Sequence, residues 1–204
     1  MNTDVLGAAL VVASYLAGSI PFGLLLARRV AGVDVRTAGS GNIGATNVAR
    51  TAGRRLGVAT LLLDAAKGGV PAAATALALG APHDGGWAAA AGLAAFLGHV
   101  FPPWLAFRGG KGVATAFGAF VVLTPWLALF AAAVFAFAFG LSGIASLSSL
   151  AAAAALAAGC ATFHGTDGAV TRVSLVVLVV VVVRHQGNIR RMLRGEEAGM
   201  RRRR

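Results

Sequence analysis

Apolar residues along this chain fall in long unbroken runs, not in the alternation of a half-buried helix or strand. The runs cover residues 5–27, 56–80, 87–107, 113–163 and 169–183. Most are near the ~20 residues that a helix needs to cross a bilayer, so they predict transmembrane helices. The tract 113–163 is too long for one crossing and long enough for three short ones. Pro125 and the pair Gly140 and Gly143 are its natural breaks. The first run differs from a signal peptide, because residues 1–4 carry no positive side chain and the run is as long as a full span. It is predicted to stay as a helix with its N-terminus outside.

Charge placement decides how often the chain crosses. Loop 28–55 holds six arginines against Asp34, Arg108 and Lys111 flank the next turn, and segment 184–204 holds eight arginines. Turn 81–86 has no Lys or Arg. Basic loops stay cytoplasmic, which puts sixteen of the eighteen basic residues on one side. With Lys111 and Arg184 both inside and 169–183 crossing once, tract 113–163 must cross an odd number of times. The reading is an all-α integral membrane protein of seven transmembrane helices, several of them short, with N-terminus outside and C-terminus cytoplasmic. Residues 1–204 form a single transmembrane domain, with a cytoplasmic loop at 28–55 and a basic tail at 184–204. Short spans imply local thinning or helices that stop around a cavity.

Composition agrees. The chain is 57% hydrophobic and 12% charged, against about 25% charged in a soluble domain. Its net charge of +11 could suggest nucleic acid, but the charges flank the apolar runs, so no nucleic-acid partner is expected. Cys160 is the sole cysteine, which excludes a disulfide framework and a thiolate metal site. No histidine or carboxylate cluster has ligand spacing, so neither metal nor cofactor is expected.

Four polar clusters interrupt this apolar background. Residues 39–49 read GSGNIGATNVA and are closed by Arg50. Glycines that let backbone N–H groups approach a ligand, with Ser40, Asn42, Thr46, Asn47 and a guanidinium, suit a phosphate. The same stretch spells G-x-G-x-x-G, with Asp64 further on, but neither lies beside a buried strand as a dinucleotide site requires. The loop is too long for a simple connector and is expected to fold around a ligand. Asp64 and Lys67 stand three apart inside an apolar run and can pair on one helix face. They are either a structural bridge or part of a site, since charges at that depth must face protein or water. His99 precedes a loop whose GGKG centre holds Lys111. It lacks the P-loop spacing, but glycines on both sides and a helix N-terminus just beyond suit a phosphate. The fourth cluster, Arg184, His185, Asn188, Arg191 and Glu197, lies at the cytoplasmic membrane surface, where His185 could accept a proton. His83 and His164, in the outer turns, are expected to have no catalytic role. The final arginines 201–204 read as a solvated tail drawn to anionic lipid.

Taken together, SGNIGATNVAR (40–50), LLLDAAKGG (61–69), GHVFPPWLAFRGGKGVAT (98–115) and HQGNIRRMLRGEE (185–197) resemble, in order and spacing, the acyl phosphate-dependent glycerol-3-phosphate acyltransferase family (PlsY). The resemblance implies a multi-pass protein of the bacterial cytoplasmic (inner) membrane, monomeric, with its active site facing the cytoplasm. It implies transfer of a fatty acyl group from acyl phosphate to the sn-1 hydroxyl of glycerol 3-phosphate, giving lysophosphatidic acid and phosphate. By motif, His185, Lys111 and Arg50 carry over as catalytic. Ser40, Gly41, Asn42, Asn47, Asn188, His99, Ser146, Asp64, Lys67 and Glu197 carry over as substrate-binding. The turn 142–146 departs from the family pattern, lacking its usual basic residue and aromatic, and Gln186 and Gly187 replace a polar pair. The competing class is a membrane transporter for a phosphorylated solute, which broken helices and intramembrane Asp64 and Lys67 would suit.

Overall fold

The computed structural model describes residues 2–80, 82, 85–197 and 199. His83 and the arginine run 201–204 lie outside the described residues. Among the described residues every regular element is a helix, and the chain divides into two compact units, Met1–Leu123 and Thr124–Arg204.

The first unit holds α1 (Thr3–Gly18), α2 (Phe22–Ala31), α3 (Ala45–Thr51), α4 (Arg54–Leu79), α5 (Gly86–Val100), a 3-10 turn at Pro103–Leu105, and α6 (Val113–Leu123). The first apolar run, expected as one helix, is broken at Ser19, Ile20 and Pro21. Pro21 has no N–H and disfavours helical geometry at Ile20. Ser19 closes α1: its N–H donates to the Tyr15 carbonyl at 2.9 Å and its hydroxyl to that of Leu16 at 2.7 Å. Helix α4 is the hub and packs on α1, α2, α3, α5 and α6. Its approach to α6 is close because Gly68 and Gly118 face it. A Cβ on Gly68 would run into the Thr115 carbonyl oxygen, and one on Gly118 into that of Ala65. Small residues let membrane helices pack by backbone contact.

The second unit holds α7 (Pro125–Ser142), α8 (Ala145–His164), α9 (Ala169–Arg184) and α10 (Gln186–Leu193). Helix α8 packs on both α7 and α9. Tract 113–163 thus gives three helices, as expected. The breaks fall at Thr124 and Gly143, whereas Gly140 lies inside α7. Gly143 ends that helix at φ 67°, in the left-handed region that glycine enters without strain. Cys160 is fully buried against α9, where the Thr171 hydroxyl donates to its carbonyl at 2.9 Å.

Among the described residues five segments are long and apolar enough to cross a membrane: Thr3–Ala31, Arg54–Leu79, Gly86–Leu105, Pro125–Ser142 and Ala145–His164. A sixth results if α9 and α10, bent by 58°, count as one. The large apolar side chains on α7 explain why. Leu129, Phe137 and Leu141 are 66%, 71% and 70% exposed, a surface that hydrocarbon covers at no cost and water does not.

Candidate functional site

Loop 32–44 folds over α2 on a small apolar core of Leu24, Ala27, Val35, Ile43 and Val48. The core holds the polar stretch from beneath, and Asn47 shapes it from inside. Asn47 is 2% exposed. Its Oδ1 accepts the Ser40 N–H at 2.9 Å. Its Nδ2 donates to the carbonyls of Val35 and Asn42 at 2.9 Å and of Ala38 at 3.0 Å. Gly39 and Gly41 make the turn at φ 60° and 70°. The Gly41 N–H donates to the Ala38 carbonyl, and the Gly44 N–H to Asn42 Oδ1. The cradle of backbone donors expected around residues 40–44 is therefore reduced, because the amides of Ser40, Gly41 and Gly44 bond within the loop. The loop presents the Ser40 side chain and Arg50, both exposed, with Asn42 half-buried. Arg28 and Arg36 both bond to Asp34. The Arg36 and then the Arg28 hydrogen bonds hold the Asp34 carboxyl well below the usual carboxylate range.

Asp64, Lys67 and His99 are brought together in the interior of the first unit, 2%, 6% and 4% exposed. Lys67 Nζ lies 3.0 Å from Asp64 Oδ1 and donates to the Ile20 carbonyl at 2.7 Å. His99 Nδ1 lies 3.7 Å from the same carboxylate oxygen. The glycine loop lies against the other side of His99. Gly109 and Gly110 donate their N–H groups to the carbonyls of Val100 and His99, each at 3.1 Å. Lys111 follows, half-buried between Gly110 and Gly112. Helix α6 starts at Val113, so the helix N-terminus expected beyond Lys111 is present.

In the second unit His185 sits at the elbow between α9 and α10. It is buried, 1% exposed. Its Nδ1 lies 2.8 Å from the Val181 carbonyl oxygen. A carbonyl can only accept, so Nδ1 carries a proton. Glu197 gathers the rest of this cluster. Its Oε1 accepts the Ser146 hydroxyl at 2.7 Å and the Asn188 amide at 2.5 Å, while its Oε2 accepts Arg191 Nε at 2.7 Å. Burial pushes the Glu197 carboxyl up. The hydrogen bonds from Asn188, Ser146 and Arg191 outweigh it, leaving the group below its ordinary value. Beside it a cleft of about 290 Å³ is lined by Ile144, Leu147, Met192, Gly195 and Glu197.

The family model for glycerol-3-phosphate acyltransferase matches residues 8–195. This chain belongs to the glycerol-3-phosphate acyltransferase family. It is 54% identical to a glycerol-3-phosphate acyltransferase of Anaeromyxobacter dehalogenans, over 97% of this chain and 98% of that one. It is 49% identical to the one of Myxococcus xanthus, over 93% and 97%. Among solved structures it resembles PlsY (YgiH), an integral membrane glycerol 3-phosphate acyltransferase, in its glycerol 3-phosphate form. That match has TM-score 0.89 and 37% identity and covers 96% of both chains. The lysophosphatidic acid form of PlsY matches with TM-score 0.86 and 37% identity, over 95% of this chain and 94% of that one. Membership in an acyltransferase family sets the transporter reading aside.

For this acyltransferase, the structure divides the sequence-derived residues by unit. Ser40, Gly41, Asn42, Asn47, Arg50, Asp64, Lys67, His99 and Lys111 lie in the first, and Ser146, His185, Asn188 and Glu197 in the second. The motifs gave no separate role to Arg191, which binds Glu197. The signal was its place three residues after Asn188, itself three after His185, on one helical face. The carbonyls of Ile20 and Val181 are also part of the arrangement, and backbone partners leave no mark in a motif.

Proposed function

We propose that this chain transfers a fatty acyl group from acyl phosphate to the sn-1 hydroxyl of glycerol 3-phosphate, at the cytoplasmic face of the bacterial inner membrane. The products are lysophosphatidic acid and phosphate. The observation that carries this reading is the likeness, over 96% of the chain, to a PlsY solved in its glycerol 3-phosphate form. The acyl phosphate donor rests on the four motifs and on their chemistry. Both substrates are anionic, and both units offer cations, Arg50 and Lys111 in one and Arg191 in the other.

Acyl phosphate is a mixed anhydride, so its carbonyl is already activated. The glycerol hydroxyl attacks that carbon, the bond from carbon to the phosphate oxygen breaks, and phosphate leaves with its electron pair. What the protein supplies is positioning and charge. Arg50 and Lys111 hold phosphate groups, with the Ser40 and Asn42 side chains as donors. Ser146 and Asn188 bind the glycerol 3-phosphate region, oriented by Glu197. The proton of the attacking hydroxyl has two candidate acceptors, His185 and a phosphate oxygen of the substrate. The acyl chain lies between helices, open to lipid. The enzyme acts as a monomer with seven crossings, α6 being the shortest.

The test is product formation by the purified protein in detergent or lipid cubic phase, given labelled glycerol 3-phosphate and either palmitoyl phosphate or palmitoyl-CoA. Lysophosphatidic acid from the acyl phosphate alone, formed by Lys111→Ala only at a strongly reduced residual rate, is expected. Product from the thioester would overturn the donor and keep the acceptor. A pH–rate profile of His185→Asn decides the proton acceptor. Near-normal turnover at saturating substrate would remove the histidine from that role.

A further inference from the structure

We infer that Asp64, Lys67 and His99 form a buried positioning device for Lys111, acting through the glycine loop and not by touching substrate. The inference rests on the proposed role of Lys111 as a phosphate contact.

The three side chains are buried and meet at one carboxylate oxygen, Asp64 Oδ1, which lies 3.0 Å from Lys67 Nζ and 3.7 Å from His99 Nδ1. Lys67 and His99 each have a second attachment that reaches away from the carboxylate. Lys67 Nζ donates to the Ile20 carbonyl at the break between α1 and α2, and stands 5.8 Å from the centre of the Phe22 ring. His99 carries the loop. The Gly110 N–H donates to its carbonyl, and Gly110 lies so close to its ring that an added Cβ would collide with His99 Nε2. An added Cβ on Gly109 would strike the His99 carbonyl oxygen, and one on Gly112 the Phe96 ring. The residues on both sides of Lys111 therefore rest on α5 with no room to slide.

The far side of the loop is fixed by α4, the helix that carries Asp64 and Lys67. Gly68, the residue after Lys67, packs on the Thr115 carbonyl in the first turn of α6. Lys111 is thus suspended between two contacts, His99 through Gly110 and α6 through Gly112, and both trace back to the same stretch of α4. A lysine ammonium on a four-carbon stem is mobile by itself. Fixing the backbone at its root is the way to place it. A misplacement of about 1 Å away from the chemistry costs on the order of 100-fold in rate, so a loop that shifts with His99 would be felt at Lys111. The ion pair explains why charged groups sit in this apolar interior at all: they stabilise a geometry and leave the chemistry to Lys111.

The experiment is a double-mutant cycle in purified protein. Asp64→Asn and His99→Gln are each made alone and with Lys111→Ala. Gly110→Ala, which sets a methyl against His99 Nε2, is the third single change. Folded samples are selected by thermal unfolding and size exclusion, and a variant that fails to fold is replaced in the cycle by the next. The readouts are KM for glycerol 3-phosphate, kcat, and the thermal stabilisation produced by glycerol 3-phosphate, which needs no turnover. Each single change is expected to raise KM or lower kcat by about 10- to 100-fold. Added to Lys111→Ala it is expected to change little, under about twofold, because residues acting through one group are not additive. Losses that multiply with Lys111→Ala would overturn the inference, as would unaltered kinetics in the folded single variants. If the wild type makes no product from either donor, the proposed reaction fails. The stabilisation by glycerol 3-phosphate then still decides the positioning role.

Discussion

A buried amide that already meets four backbone groups cannot also reach out to a ligand. Asn47 bonds to the Ser40 amide and to three loop carbonyls, so its motif position reflects the shape of the loop. Asn47→Ala leaves these groups without their partner, at about 1–3 kcal/mol for each one that stays buried. The expected outcome is a lower unfolding temperature in detergent together with a raised KM for glycerol 3-phosphate. Asn47→Asp keeps the acceptor and loses the donors, and should fall between. Unchanged stability in Asn47→Ala would refute the organising role. Glu197 makes a comparable centre from side chains, and its charge adds a pH dependence. Its folded carboxyl lies below the usual value of about 4.5, so the unfolded chain takes up protons first as the solution is acidified. The hydrogen bonds from Asn188, Ser146 and Arg191 therefore contribute their full stability above about pH 4.5 and lose it as the pH falls through the folded value. Between pH 7 and about pH 3.5 the wild type should lose more stability than Glu197→Gln. Equal losses would place the acid sensitivity elsewhere. Both residues were legible in the sequence as motif members. Their roles were not, because a motif records residue type and spacing, while the direction of a side chain depends on which backbone groups the fold leaves in need of partners.

At the scale of elements, the breaks were easier to read than the contacts. Pro125 and Gly143 mark helix ends because proline lacks a donor and glycine takes a positive φ at a C-cap, and both rules act within a few residues. The same rule applied to Pro21 would have divided the first run. The break is masked in the sequence because the residues on both sides are apolar and their combined length suits one span. Glycines within helices are harder, since helix-interior glycine has no local reason to be there. The reason is a neighbouring backbone, and it differs from one glycine to the next. An added Cβ at Gly68 meets the Thr115 carbonyl oxygen, whereas one at Gly140, inside α7, meets nothing within 4 Å. Gly140→Ala should be neutral or stabilising by about 0.5–1 kcal/mol, as expected for glycine replaced within a helix. Gly68→Ala should destabilise by about 1–3 kcal/mol, because a carbonyl in a helix cannot swing aside as a side chain can. Thermal unfolding of the two variants under identical detergent conditions compares them directly. A Gly68→Ala protein as stable as the wild type would show that α4 and α6 do not pack as described.

At the scale of the whole molecule, one short helix decides the number of crossings. Charge parity needs an odd number of crossings between Lys111 and α9. Helices α7 and α8 supply two that are long enough, so the seven-crossing reading proposed above needs α6 as the third. With 11 residues it is only about 16 Å long, against a hydrocarbon core of about 30 Å. It can cross only where the bilayer thins or where the flanking chain completes the passage within protein. The sequence held both halves of this problem: the basic residues that demand the crossing, and the glycine and proline that make it short. Hydropathy alone could not reconcile them, because the reconciliation lies in packing. Gly68 and Gly118 bring α6 against α4, so its backbone is covered by protein where a longer helix would meet lipid. The alternatives differ in a way that labelling can read. Cys160 is the only cysteine and is buried, so Cys160→Ala provides a background for single cysteines at Thr166, between α8 and α9, and at Gly187 in α10, both exposed. If α6 crosses, a membrane-impermeant thiol reagent added to intact spheroplasts should label the cysteine at 166 and spare the one at 187 until the membrane is opened. If α6 turns back, the two results exchange. The arginines of α10 would then lie outside, against the charge asymmetry that otherwise orders the chain.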